Sequence, residues 1–272
     1  VSESVNDTSA IAGPAGKALP ASLREIIPQE LSEFYTERMY IDLKGRALEK
    51  KDLMILDILA NNKWERPIYF NNTSLMGVNL DFRPYVVQEG NTFRLLPVEN
   101  PNPANELVNT DVMYTNMMEN FYYRELNNPD VYYSEDYRQF ALNHRSSFNT
   151  LARALVAEGD LERARTVLNK SLEEIPDETI PFDYVSSQAV PLLFRVGENE
   201  KAVAMATKLG DRADEMLAYL SRSGQPGQSV EVQKQFIILN AISQALTNNG
   251  EAELGKKYED MLNRRYNMIN RL

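Results

Sequence analysis

The 272 residues contain one histidine, His144, and no cysteine. Thiolate zinc sites, disulfides and cysteine nucleophiles are thereby excluded, and Ser–His or His–metal chemistry has a single imidazole to work with. His144 stands on an otherwise apolar helical stripe, with no Asp, Glu or Ser fixed beside it by spacing, the pattern of a partly buried histidine rather than of a general base. Carboxylates occur as adjacent pairs, Glu173-Glu174 and Asp214-Glu215. Neighbours on a helix diverge by about 100° and cannot flank one scissile bond, so these pairs read as solvated helix faces. In Gly13-Pro14-Ala15-Gly16-Lys17 the lysine is followed by Ala18 where a phosphate loop needs Ser or Thr, and no strand precedes it. No catalytic, cofactor or metal set emerges, and the chain is read as not an enzyme by itself.

Two binding possibilities remain. Tyr122, Tyr123, Tyr132 and Tyr133 flank a bend. Their flat faces suit the apolar side of a sugar ring, and they equally suit packing between modules. Arg66, between Trp64 and Pro67, is placed to bind an anionic group or to fix an interface through a carboxylate.

These residues must be positioned by a chain of net charge -10, with 29 basic against 39 acidic groups, a balance that disfavours nucleic acid or anionic lipid as partner. The longest apolar run is five residues, whereas a membrane span needs about 20. Nine of the 13 prolines fall in residues 1–134, so irregular structure is expected there and regular helices after it. Residues 1–27 read as a small, polar, flexible tail, residues 28–134 as a small α+β module, and residues 135–272 as a helical repeat module on which it packs. In the first module a compact apolar helix carries Leu53, Met54, Leu56, Ile58 and Leu59, with Asn61 and Asn62 as its stop. A buried strand is expected at 68–70. A second strand run at 92–98 can pair with it or with 85–87.

From Tyr137 the positions 140, 141, 144, 148, 151, 152 and 155 continue one stripe up to Gly159. Asp160 then caps a helix lined by Leu161, Ala164, Val167, Leu168 and Leu172. Phe148, Leu151, Ala152, Leu155, Gly159, Ala164, Leu168 and Pro176 together resemble one tetratricopeptide repeat. A weaker second unit has Ala189, Leu193, Gly197, Ala202 and Ala206, with Pro191 expected to kink its first helix because the bond to Ser187 is missing. A third has Ile242, Leu246, Gly250 and Leu262, with Gly255 and Glu259 where Ala and an aromatic are usual. Gly197 lies 38 residues after Gly159, and Gly250 lies 53 after Gly197, so the repeat is degenerate. The fold class expected is mainly α with a small β-sheet.

A wider resemblance rests on the run from Lys51 to Asn61-Asn62 and Trp64-Glu65-Arg66-Pro67-Ile68-Tyr69-Phe70. Further blocks are Glu89-Gly90, Phe93-Arg94-Leu95-Leu96-Pro97, Asn109-Thr110-Asp111-Val112-Met113-Tyr114 and the repeat from Phe148. In this order they resemble the C-terminal soluble region of the bacterial protein O-mannosyltransferase-like membrane proteins of glycosyltransferase family 117. The resemblance implies a periplasmic domain joined to an inner-membrane transferase-like region upstream of Val1, and it carries no catalytic residue onto this chain. The expected role is a scaffold for an acceptor polypeptide or partner protein, with carbohydrate binding as the alternative.

Overall fold

Leu19, Leu23, Ile27, Leu31 and Tyr35 recur at every fourth position, and all five are buried in one cluster with Val87, Leu96 and Val98. The computed structural model describes residues 11–12, 18–223, 227 and 229–269. Within it, β1 (Ile11–Ala12) pairs antiparallel with β2 (Ala18–Leu19), and two 3-10 turns, Ala21–Leu23 and Gln29–Phe34, follow. The flexible tail expected over residues 1–27 is therefore corrected for its last part: Leu19, Leu23 and Ile27 are core residues, because burying an apolar residue in each turn outweighs the polar composition between them. Residues 1–10 and 13–17 lie outside the described residues. The chain divides into two compact units, Val1–Glu119 and Asn120–Leu272, so the break falls earlier than the expected 134.

In the first unit α1 (Lys50–Asn62) starts with a reciprocal cap, the Glu49 N–H donating to Asp52 Oδ2 at 2.7 Å. Asp52 is buried and also accepts the backbone N–H and side-chain amide of Asn79, both at 2.9 Å, which ties the helix start to the approach of β5 (Leu80–Asp81) and its partner β3 (Asp42–Leu43). Ile55, Leu56 and Leu59 face the cluster around Phe70, Leu75, Phe82 and Tyr85. Leu53, Met54 and Ile58 are more than half exposed, so only one face of this expected apolar helix is internal. Both Asn61 and Asn62 remain in the helix. The left-handed turn falls on Lys63 and Trp64, at φ 48° and 62°.

The main sheet has the order β4-β7-β6-β8, built from β4 (Tyr69–Asn71), β6 (Val86–Gln88), β7 (Thr92–Leu95) and β8 (Leu107–Val108). The run beginning at Thr92 thus pairs with both expected partners, Tyr69 opposite Arg94 on one side and Val87 opposite Arg94 on the other. Only Phe70 of β4 is buried, as befits an edge strand with one face inward. The short α2 (Asn72–Gly77) and α3 (Thr110–Thr115) begin with Asn71 and Asn109 as side-chain caps.

The second unit is helical: α4 (Glu135–Glu158), α5 (Leu161–Glu174), α6 (Tyr184–Ser187), α7 (Ala189–Arg195), α8 (Asn199–Arg222), α9 (Val230–Asn248) and α10 (Ala252–Ile269). Among the described residues helix far outweighs strand, so the fold is mainly α with a small β-sheet. One device joins three helix pairs. Gly159, Gly197 and Gly250 take φ of 85°, 83° and 93°, and the amide after each glycine donates back to a leucine carbonyl: Asp160 to Leu155 at 2.9 Å, Glu198 to Leu193 at 2.9 Å and Glu251 to Leu246 at 3.0 Å. This is the C-terminal helix closure that a left-handed glycine permits. All three leucines are fully buried. Four residues after each acid stands a small buried residue, Ala164, Ala202 or Gly255. A methyl at Gly255 would meet Thr247 and, at 3.0 Å, the Ser243 carbonyl, which explains glycine where alanine is usual. Pro191 has no N–H for the Ser187 carbonyl, and the helix breaks at Gln188 between α6 and α7.

Candidate functional site

Alongside the apolar stripe of α4 runs a polar one that sequence reasoning missed. Arg145, Asn149 and Arg153 stand four residues apart and therefore share a helix face. Arg145 is buried. Its Nη1 donates to the Pro181 carbonyl at 3.3 Å and Ser186 Oγ at 3.1 Å, and its Nη2 to the carbonyls of Ile175 at 2.9 Å and Ile180 at 2.7 Å. The guanidinium also stacks 5.2 Å from the Phe182 ring centroid. Burial pulls its pKa down to about 10, with Asp183 and Asp177 opposing. From the far side Arg212 of α8 grips Asp177 in a fork at 2.8 and 3.1 Å and donates to the Phe182 carbonyl at 2.9 Å. The segment from Ile175 to Asp183 is thus clamped between two arginines, and the clamp sets where α6 begins.

One turn further, Asn149 Nδ2 donates to the Val185 carbonyl at 2.9 Å. One more turn brings Arg153, whose Nη2 reaches Gln188 Oε1 at 3.1 Å. Here the helices part to leave a groove of about 360 Å3, with Arg153 from α4, Tyr184, Ser187, Gln188, Pro191 and Leu192 around the α6–α7 break, and Ile237 and Ala241 from α9. A volume of this size is in the range of ligand-binding clefts. The first helices of all three pairs contribute, so the groove is built by several helices rather than by one loop. Its sequence signals were the polar i, i+4 spacing on α4 and the proline break.

The residues singled out from sequence are distributed differently. Tyr122 and Tyr132 are each 83% exposed, whereas Tyr123 is buried, meeting His144 edge-on and Phe148 at a tilt, with 5.5 and 5.4 Å between centroids. Tyr133 is half-buried, and its carbonyl accepts Arg138 Nε at 3.1 Å. Tyr137 and Phe140 are exposed, so the apolar stripe of α4 becomes internal only from Ala141. Arg66 is exposed, and its carbonyl accepts Asn62 Nδ2 at 2.8 Å. Of the carboxylate pairs, Asp214 forks to Arg265 at 2.7 and 2.8 Å, and Glu174 lies 3.8 Å from Lys170. The described residues contain no group of three His, Asp or Glu able to hold a metal ion.

His144 lies edge-on to Phe121 and Tyr123, and burial lowers its pKa from the ordinary 6.5. Below that value the unfolded chain takes up a proton that the folded chain refuses. Stability is therefore retained above pH ~6.5 and falls as the pH drops below it, with a slope no steeper than about 1.4 kcal/mol per pH unit. Urea titrations of the wild type and His144→Gln at several pH values measure this difference; parallel pH profiles would show that the imidazole does not contribute.

In the first unit the densest polar cluster surrounds Glu89. This buried carboxylate accepts Tyr69 Oη at 2.6 Å and Asn109 Nδ2 at 3.2 Å, and lies 3.5 Å from Arg94 Nη1. Burial, then the bond to Glu89, pushes the Tyr69 phenol up to about 12. Asn116 donates to the Glu89 carbonyl at 2.8 Å. The cluster locks the β6–β7 turn, in which Gly90 has φ 138°, to the α3 end of the unit. The Glu89 carboxylate and its donors satisfy one another, while Arg94 Nε is buried without a hydrogen-bond partner.

Against known proteins, residues 20–113 match the family model described as TMEM260-associated domain 2. The match takes in most of the first unit, including α1, the main sheet and Glu89, and none of the helical unit. No curated protein and no solved structure matches the chain. Among the described residues no helix is long and apolar enough to cross a membrane.

Proposed function

We propose that this chain is a noncatalytic domain of a membrane glycosyltransferase-like protein, serving as the scaffold on which an acceptor polypeptide or partner protein is held. The observation that carries the reading is the groove along α4, α6–α7 and α9. Paired helices that stack in register present such a continuous concave surface to an extended chain. The tetratricopeptide-like character of the unit rests on the three glycine closures and their buried leucines. The link to a transferase-like parent rests on the TMEM260-associated segment, a domain related to an O-mannosyltransferase-like protein. The bacterial glycosyltransferase family 117 and a periplasmic location attached to the inner membrane are the finer form of the same proposal. Photo-crosslinkers placed at Ile237 and Tyr184 should capture a polypeptide from cell envelope, while crosslinkers at Glu173, exposed on α5 and outside the groove lining, should not. Equal labelling at both places would remove the support for a groove-bound partner.

A second reading, carbohydrate binding, is favoured by the exposure of Tyr122 and Tyr132, since a stacking platform must present its rings to solvent. Tyr122→Ala with Tyr132→Ala should abolish retention on a glycan array and leave the melting temperature within about 2 °C, because neither ring is buried. Absence of glycan retention by the wild type sinks this reading.

A further inference from the structure

Arg145 and Arg153 occupy the same face of α4, two turns apart, and their surroundings differ in one respect. Arg145 gives its N–H groups to four protein acceptors. Arg153, half-buried at the groove wall, gives one hydrogen bond to a neutral amide oxygen, and no carboxylate among the described residues pairs with it. A guanidinium has five N–H donors in a fixed fork. One that is partly removed from water with most donors unspent is best completed by a carboxylate, which takes two of them in parallel. In the rest of the lining Ser187 and Leu192 are buried, while Pro191, Tyr184 and Ile237, the last 47% exposed, present apolar surface to solvent.

We infer that the groove binds an extended polypeptide by a carboxylate held on Arg153, with an adjacent apolar side chain seated against Pro191 and Ile237. The inference rests on the scaffold reading and adds the chemistry of the bound segment. It also separates this groove from a nucleic-acid or lipid site, which would need several clustered cations on a chain whose net charge is -10. The carboxylate is an Asp or Glu side chain or a chain terminus. Both present the same two oxygens.

The full chain is panned against random short peptides displayed with free and with amidated C-termini. The expected result is enrichment of peptides with a carboxylate next to an apolar residue. Changing that carboxylate to an amide, or Arg153→Gln, weakens binding about 10- to 100-fold, and the two changes together weaken it no further. Loss on amidation assigns the carboxylate to the terminus, and indifference to amidation assigns it to a side chain. Arg153→Gln must melt as the wild type does; if it does not, Arg153→Lys, which keeps the charge and loses the fork, should bind more weakly than wild type and more tightly than a charge-reversed Arg153→Glu. Peptides enriched without a carboxylate, or an Arg153→Gln protein that binds them unchanged, overturn the inference and leave the scaffold reading standing. Competition by succinate as effective as that by the peptides overturns it in favour of a small-molecule site. Retention of no peptide by the wild type overturns both.

Discussion

Leu155→Asp should unfold the helical unit. Leu155 is fully buried between α4 and α5 and supplies the carbonyl that closes α4 at Gly159. Its loss removes about 2–3 kcal/mol of apolar burial, and the introduced carboxylate adds a desolvation cost of several kcal/mol with no cation placed to meet it. Together these approach the whole stability of a typical domain, about 5–15 kcal/mol. The readout is a large drop in far-UV helical signal at 25 °C. Leu193→Asp and Leu246→Asp should behave alike, because those leucines hold the same position in the other two closures and are equally buried. A melting curve near that of wild type for any of the three would show that the closures are not equivalent.

The second large effect is expected at Arg145. Arg145→Ala leaves the carbonyls of Ile175, Ile180 and Pro181 and the Ser186 hydroxyl without their shared donor. Each buried neutral acceptor left without its donor costs about 1–3 kcal/mol. Arg145→Lys should recover little of it, since an ammonium has three donors and no fork with which to meet four acceptors. Urea unfolding gives the stability change, and protease sensitivity in the segment from Ile175 to Asp183 should rise with it. Because this segment sets the start of α6, the groove wall should loosen as well. A loss below about 1 kcal/mol would mean that water replaces the guanidinium and that the clamp is not rigid.

Both predictions depend on residues whose roles were unequally visible in the chain. Leu155, Gly159 and Asp160 announce a helix end and a new start by type and spacing alone, since only a residue free to adopt positive φ ends a helix in this way and an acid after it caps the next one. The same holds for the strand at Thr92 and for the break at Pro191. Leu19, Leu23 and Ile27 carry a legible fourfold spacing too, but composition alone, dominated by the small polar residues around them, does not tell that these three join the core. On α1 the periodicity told of an apolar helix without telling how much of its circumference another element would cover, and Leu53, Met54 and Ile58 remain exposed.

The candidate site was the least legible part. Arg145 and Arg153 are the same residue type on the same helix face, and nothing local distinguishes the arginine that four acceptors enclose from the one that looks into a groove. That difference comes from residues 30 to 41 positions later in the chain, brought alongside α4 by the fold. Likewise, Tyr122 and Tyr123 are neighbours of one type, one exposed and one packed on His144 and Phe148. The amino-acid sequence by itself determined the mainly helical class, the positions of the glycine closures, the proline break, the lack of cysteine and the single histidine, because these depend on backbone freedom, local periodicity and residue inventory. Which polar groups are spent inside and which are left facing a groove was decided only by tertiary structure, because burial and hydrogen-bond satisfaction belong to contacts between distant segments.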